Sequence, residues 1–123
     1  MKNFLAIYTG SAASSERAAW DRLSEEDRQR RQAAGMKAWM EWVERHRADI
    51  VEGGGPLGKT KCITATGISD IRNNMAAYVI VRAESQEAAA RLFERHPHFA
   101  IFPGDGVEVM ECLPIPGQAQ RGA

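Results

Sequence analysis

The chain has 123 residues, enough for one domain whose hydrophobic core needs no disulfide or metal to hold it together. Sixteen basic and sixteen acidic residues cancel, which argues against a nucleic-acid-binding protein because such proteins rely on an excess of Lys and Arg. No window approaches the roughly 20 apolar residues of a membrane span, and the apolar part of the first ten residues is too short for a signal peptide. We therefore expect a cytoplasmic protein without membrane contact.

The cysteines indicate no special chemistry. Cys62 and Cys112 form neither a metal-binding pair nor the disulfide framework of a secreted domain, and both fall in predicted strands, so we expect buried free thiols. The spacing of the histidines relative to acidic and thiol side chains predicts no metal site. The sequence likewise indicates no other cofactor.

Two apolar stretches predict the centre of a β-sheet. Residues 3–9 and residues 75–81 are apolar on both faces of an alternating strand. A strand that is apolar on both sides sits centrally in a sheet whose two faces are both covered. The alternating residues 107–113 predict a final strand. Residues 61–66 are more polar, which predicts a strand nearer an edge, followed by a loop over residues 67–74.

Serines mark the beginnings of the predicted helices. Ser14 or Ser15 can cap a short helix through Leu23, and Ser24 opens a longer one. The buried stripe of that longer helix is predicted to comprise Met36, Trp39, Val43, His46 and Ile50.

The second part of the chain repeats this pattern on a smaller scale. Ser85 can cap a helix whose apolar stripe runs to His96 and which Pro97 ends.

Three consecutive glycines at 53–55 predict a tight turn or bulge, because the spacing of a phosphate-binding loop is absent. The domain is predicted to span residues 1–116, with a disordered C-terminal tail at 117–123.

The order of these elements predicts an α+β fold of the ferredoxin-like βαββαβ type. Four strands would form one antiparallel sheet with the helices on one face. The other face would be apolar and open, so we predict a homodimer packed through the sheet face. Because the two helices would run antiparallel, His46 and His96 are expected at opposite ends of the helical layer, roughly 15 Å apart.

Five segments in this order resemble the YCII-related and DGPF-type proteins. They are the N-terminal strand, the Trp-containing helical segment, GGPLGKTK at 54–61, the stretch AYVIVRAESQEAAARLFERHPHF, and the closing VEVMECLPIP. The resemblance implies a dimeric αβ-barrel, and relatives include proposed small-molecule enzymes with a His–Asp pair and proteins found alongside sigma factors. Gly54 and Leu57 depart from the Asp-Gly-Pro-Phe motif, whereas His96 and Pro97 match the family's His-Pro.

The resemblance to dimeric αβ-barrels also implies a cleft between the helices and the sheet, where we expect a small-molecule site. His96 is the candidate general base, with Asp70 or Asp105 to orient it. The candidate ligand-binding residues are Arg72, Lys59 or Lys61, His98, His46 and Trp39. The alternative reading is structural: the histidines and Trp39 would be packed core residues, and Arg72 would form an exposed ion pair.

Two functions remain open from the sequence. The first is small-molecule binding, with or without lyase, isomerase or hydrolase activity. The second is a non-catalytic accessory or regulatory module that binds a protein partner such as a transcription factor. Cofactor-independent oxygenase chemistry has no support beyond the fold.

Overall fold

A computed structural model of the chain describes residues 1–117. Apart from its first residue, the predicted tail at 117–123 lies outside the described residues. The strands are β1 (Lys2–Thr9), β2 (Ile50–Pro56), β3 (Thr60–Thr64), β4 (Gly67–Ile71), β5 (Met75–Ala83) and β6 (Gly106–Glu111). The helices are α1 (Ser15–Asp21), α2 (Glu25–Arg45), α3 (Gln86–Arg91) and α4 (Pro97–Ala100), with a 3-10 turn at Arg47–Asp49.

The fold is α+β, with a four-stranded antiparallel sheet in the order β2-β5-β1-β6. The two strands that are apolar on both faces, β1 and β5, are central, as the sequence predicts. Alternate residues of these strands pack against the helices to form the core with Trp42 from α2 and Phe93 after α3. In the part of the chain that the structure describes, no helix is long and apolar enough to cross a membrane.

The prediction for residues 50–74 was wrong about which segment joins the sheet. The edge strand next to β5 is β2, which contains the three glycines. Residues 60–71 form a separate two-stranded hairpin of β3 and β4. We call this hairpin the β-arm. The glycines do form a bulge, because the pairing of β2 with β5 shifts register on both sides of Glu52. The predicted loop at 67–74 is therefore mostly strand.

Several predicted boundaries also differ. Helix α2 ends at Arg45, so Ile50 belongs to a strand, and Met36 is 53% exposed and not buried. Strand β6 ends at Glu111, and Cys112 is exposed while Cys62 is half-buried, so neither thiol is fully buried; both are free.

The segment around the His-Pro pair departs most from the prediction. Helix α3 ends at Arg91, and Arg95 adopts a left-handed conformation with φ 58°. This turn places His96 at the N-cap position of α4, and Pro97 lies in the first turn of that helix. Pro97 therefore starts a helix and does not end one.

Candidate functional site

A cleft of about 440 Å³ lies between α2 and the sheet. Its walls are almost entirely apolar, and within residues 1–117 no charged side chain lines it. We call it the aromatic cleft, after the aromatic residues among its lining. It is lined by Tyr8, Met36, Trp39, Met40, Trp42, Val43, Ile50, Gly53, Gly55, Pro56, Ala77, Tyr78, Val79 and Phe102.

Local sequence patterns build the two walls of the cleft. On α2, the spacing of Met36, Trp39, Met40 and Val43 places them on one face of the helix. On the sheet, β1 alternates, so Tyr8 shares the helix-facing side with the buried Phe4 and Ala6. The cleft lies between α2 and the sheet, and Trp39, a predicted ligand-binding residue, is among the residues that line it.

The glycine bulge shapes the open edge of the cleft. Gly54 has φ 62°, in the left-handed region, and a Cβ there would overlap the backbone carbonyl oxygen of Tyr78. Gly53 and Gly55 on either side contribute backbone to the cleft wall. Glycine is therefore required at this point for β2 to approach β5 so closely.

His96 is fully buried behind the cleft and bonds to its wall. Its Nδ1 accepts a hydrogen bond of 3.0 Å from the backbone N–H of His98, and its Nε2 lies 3.3 Å from the hydroxyl of Tyr8. The rings of Trp39 and Trp42 pack edge-on against its imidazole, at centroid distances of 4.5 and 4.7 Å. Burial, reinforced by the nearby His98, lowers the pKa of His96 to about 3. The imidazole is therefore neutral at physiological pH.

Tyr8 and His98 are also held neutral. Burial raises the pKa of the Tyr8 phenol well above its usual value. Burial likewise lowers the pKa of His98, although its hydrogen bond to the Thr9 carbonyl opposes this. That bond spans 2.7 Å, and since a carbonyl can only accept, His98 carries a proton on Nε2. The polar groups behind the cleft thus form a neutral cluster of Tyr8, His96 and His98.

The predicted separation of His46 and His96 was wrong. Both imidazoles pack against the indole of Trp42, at centroid distances of 4.9 Å for His46 and 4.7 Å for His96. The centres of the two imidazole rings are therefore no farther apart than the sum of these two distances, which is less than the predicted separation. The long α2 ends beside the turn that follows α3, which brings the two helix ends together. His46 is half-buried there and is not part of the cleft lining.

Four of the other predicted site residues belong to a different place, whereas Asp105 lies near His98. Lys59, Asp70 and Arg72 line a polar depression of about 590 Å³ where the β-arm meets the end of β1. The Asp70 carboxylate pairs with Lys61 at 2.6 Å, and both side chains are mostly exposed. Asp70 is therefore engaged in the β-arm, and the predicted His96–Asp70 pair does not form.

Tyr8 is the polar residue that the sequence reasoning missed. It was assigned only as an apolar member of a central strand, yet it lines the cleft and its hydroxyl lies 3.3 Å from Nε2 of the buried His96. A signal was available, because a buried tyrosine hydroxyl usually finds a hydrogen-bond partner. Within residues 1–117, no group of three or more His, Cys, Asp or Glu side chains is placed to hold a metal ion.

Comparison with known proteins gives little further guidance. No family model matches the chain, and no curated protein matches it. A similar solved structure is that of 5-chloro-2-hydroxyhydroquinone dehydrochlorinase (TftG) from Burkholderia phenoliruptrix AC1100, in complex with 2,5-dihydroxybenzoquinone. The sequences are 20% identical, the match covers 88% of this chain and 90% of that one, and the TM-score is 0.48. We draw no inference about function from so distant a similarity.

Proposed function

We propose that this protein binds a small, largely apolar organic molecule in the aromatic cleft. The observation that carries this proposal is the cleft itself, whose volume falls within the range of about 300 to 1,000 Å³ that is typical of ligand sites. Its composition also fits, since such sites combine hydrophobic and aromatic walls with a few polar groups. Here Tyr8, whose buried hydroxyl contacts His96, is one of the residues that line the cleft.

The ionisation of His96 favours binding over acid–base catalysis by this residue. A general base works best with a pKa near the operating pH. With a pKa of about 3, the His96 imidazole is a weak base at neutral pH. Lyase, isomerase or hydrolase activity at this site would need another group to move the proton, so ligand binding is the function that we propose.

The cleft can be tested by filling it. We would screen the purified protein by thermal shift against neutral and anionic aromatic and aliphatic compounds, since a ligand at 100 times its dissociation constant stabilises the folded state by about 2.7 kcal/mol. Ala77 lines the cleft, whereas Ala34 is exposed on the face of α2 that points away from the cleft. Ala77→Leu should abolish the shift and Ala34→Leu should preserve it. A shift that survives Ala77→Leu would contradict the proposal.

We also propose that two copies pair through the open face of the sheet to form a ferredoxin-like dimeric αβ-barrel. The strand order and the placement of the helices support this arrangement. Leu5, Ile7 and Ile80 alternate with core residues and are only half-buried, while Met110 is 40% exposed. Sedimentation at micromolar concentration should show a dimer that Ile7→Lys dissociates; a wild-type monomer would contradict this proposal.

The second candidate function, a module that binds a protein partner, is favoured by the β-arm. Ile63 and Ile68 face each other across the two strands and are 70% and 72% exposed. A two-stranded hairpin is marginally stable when isolated, and exposed aliphatic pairs of this kind are typical of contact surfaces. Replacing both isoleucines by Thr should leave ligand binding in the cleft unchanged if the arm serves a partner. Loss of cleft binding in this variant would remove the support for a separate partner surface.

A further inference from the structure

The hydrogen-bond pattern around His96 fixes which of its nitrogens carries the proton. The Nδ1 atom accepts from the His98 backbone N–H, so it has no hydrogen of its own. A neutral imidazole has one protonated nitrogen, so the proton lies on Nε2. That nitrogen is 3.3 Å from the Tyr8 hydroxyl, and the bond therefore runs from Nε2–H to the phenol oxygen.

This direction leaves the hydroxyl hydrogen of Tyr8 without an acceptor among residues 1–117. The phenol oxygen accepts from His96, and no other hydrogen bond involves it in that part of the chain. A buried hydroxyl whose donor is unused favours a partner that can accept. Because Tyr8 also lines the aromatic cleft, a ligand bound there is the natural source of such an acceptor.

We propose that the aromatic cleft selects uncharged aromatic ligands that present a carbonyl oxygen to the Tyr8 hydroxyl, with His96 as the positioning residue. This inference rests on the proposed function and names its ligand class. Aromatic walls, among them Trp39 and Phe102, suit a flat ring. None of the described residues that line the cleft could neutralise an anion or a cation, and burying an unpaired charge is costly. The raised pKa of Tyr8 keeps the phenol protonated and able to donate.

Three probes of similar size separate the parts of this proposal: acetophenone, ethylbenzene and benzoate. All carry one benzene ring, but only acetophenone offers a neutral carbonyl oxygen. Dissociation constants would be measured on the full chain by NMR titration. One neutral hydrogen bond predicts that acetophenone binds roughly two- to tenfold more tightly than ethylbenzene. Benzoate should bind more weakly than acetophenone.

The Tyr8→Phe variant should abolish the preference for acetophenone while still binding ethylbenzene. Acetophenone would then bind no more tightly than ethylbenzene, because its carbonyl oxygen loses its donor while the ring of Tyr8 and its packing are kept. A preference that survives Tyr8→Phe would overturn the proposal. If this variant does not fold, the ratio of the two affinities in the wild type and in the His96 variants below still decides the question.

Two substitutions test whether His96 acts by positioning Tyr8. A Gln side chain places an amide N–H near the position of the histidine Nε2, so His96→Gln should retain most of the acetophenone preference. An Asn side chain can accept from the His98 N–H in place of Nδ1 but is too short to reach Tyr8. His96→Asn should therefore reduce the preference, whereas a purely structural role would weaken both probes alike. Retention of the full preference in His96→Asn would overturn the positioning role.

The outcomes also separate this inference from the proposed function. Equal binding of acetophenone and ethylbenzene, abolished by Ala77→Leu, would overturn the carbonyl preference and leave the cleft as a ligand site. Absence of binding by either neutral probe would overturn the ligand class. A thermal-shift screen that also yields no ligand lost in Ala77→Leu would overturn the proposed function itself.

Discussion

The buried histidines make the stability of this protein depend on pH, and His96 permits the effect to be worked out. Its pKa is about 3 in the folded protein, against 6.5 for an unperturbed histidine. Between these values the unfolded chain binds a proton that the folded chain does not, so protonation favours unfolding. The stability that the neutral imidazole contributes is therefore present above pH 6.5 and is lost as the pH falls toward 3.

The expected size follows from the same two values. At pH 5 the pH is about 1.5 units below the pKa of the unfolded histidine, which is therefore protonated, while the folded histidine is still neutral. The free energy of unfolding should therefore be lower at pH 5 than at pH 7 by roughly 2 kcal/mol. Burial also lowers the pKa of His98 and of His46, so both add to the loss with the same sign. Since domains of this kind are stable by only about 5 to 15 kcal/mol, the change should be easily measured.

Urea denaturation at pH 7 and pH 5, at one fixed protein concentration, measures this loss directly. The matched variant is His96→Asn, which can still cap α4 through the His98 N–H but does not titrate. Its loss between pH 7 and pH 5 should be smaller than that of the wild type by roughly 2 kcal/mol. If wild type and variant lose the same stability, His96 is not the buried neutral group described above and the reasoning is refuted.

Two further substitutions test the walls of the cleft by denaturation. Gly54→Ala should destabilise the protein by at least about 2 kcal/mol, because the φ of Gly54 is positive and a Cβ there would overlap the Tyr78 carbonyl. Gly53→Ala is the control, since a Cβ at that position would contact no other atom, and it should cost less than about 1 kcal/mol. Trp42→Phe removes the indole N–H that donates to the Leu92 carbonyl at 2.8 Å and should cost about 1 to 3 kcal/mol; an unchanged midpoint would mean that this bond does not hold the end of α3 to α2.

Local signals in the sequence predicted the local structure well. Ser14, Ser24 and Ser85 all cap helices in the structure, each accepting a hydrogen bond from the backbone N–H three residues later. A cap depends on a few neighbouring residues, so the sequence carries the whole of the information. The two central strands were also predicted, because a run that is apolar on both faces has no stable place at an edge.

The errors arose where residues far apart in the chain compete for one position. Both β2 and the β-arm could supply the edge strand, and the β-pattern at 61–66 predicts a strand whereas the three glycines at 53–55 predict only a turn or bulge. The structure favours the latter because Gly54 permits a close approach to Tyr78 that a side chain would prevent. Propensity is a weak guide where pairing partners and close backbone approach decide the outcome.

The sequence by itself thus determined the α+β class, the central strands and the helix caps. Only the tertiary structure decided that Asp70 pairs with Lys61 away from His96, and that Tyr8 is the partner of His96. Tyr8 and His96 are separated by 87 intervening residues, and their contact depends on the register of β1 and on the turn at Arg95 together. Periodicity and capping report on neighbours along the chain, whereas a hydrogen bond of this kind depends on how the elements pack.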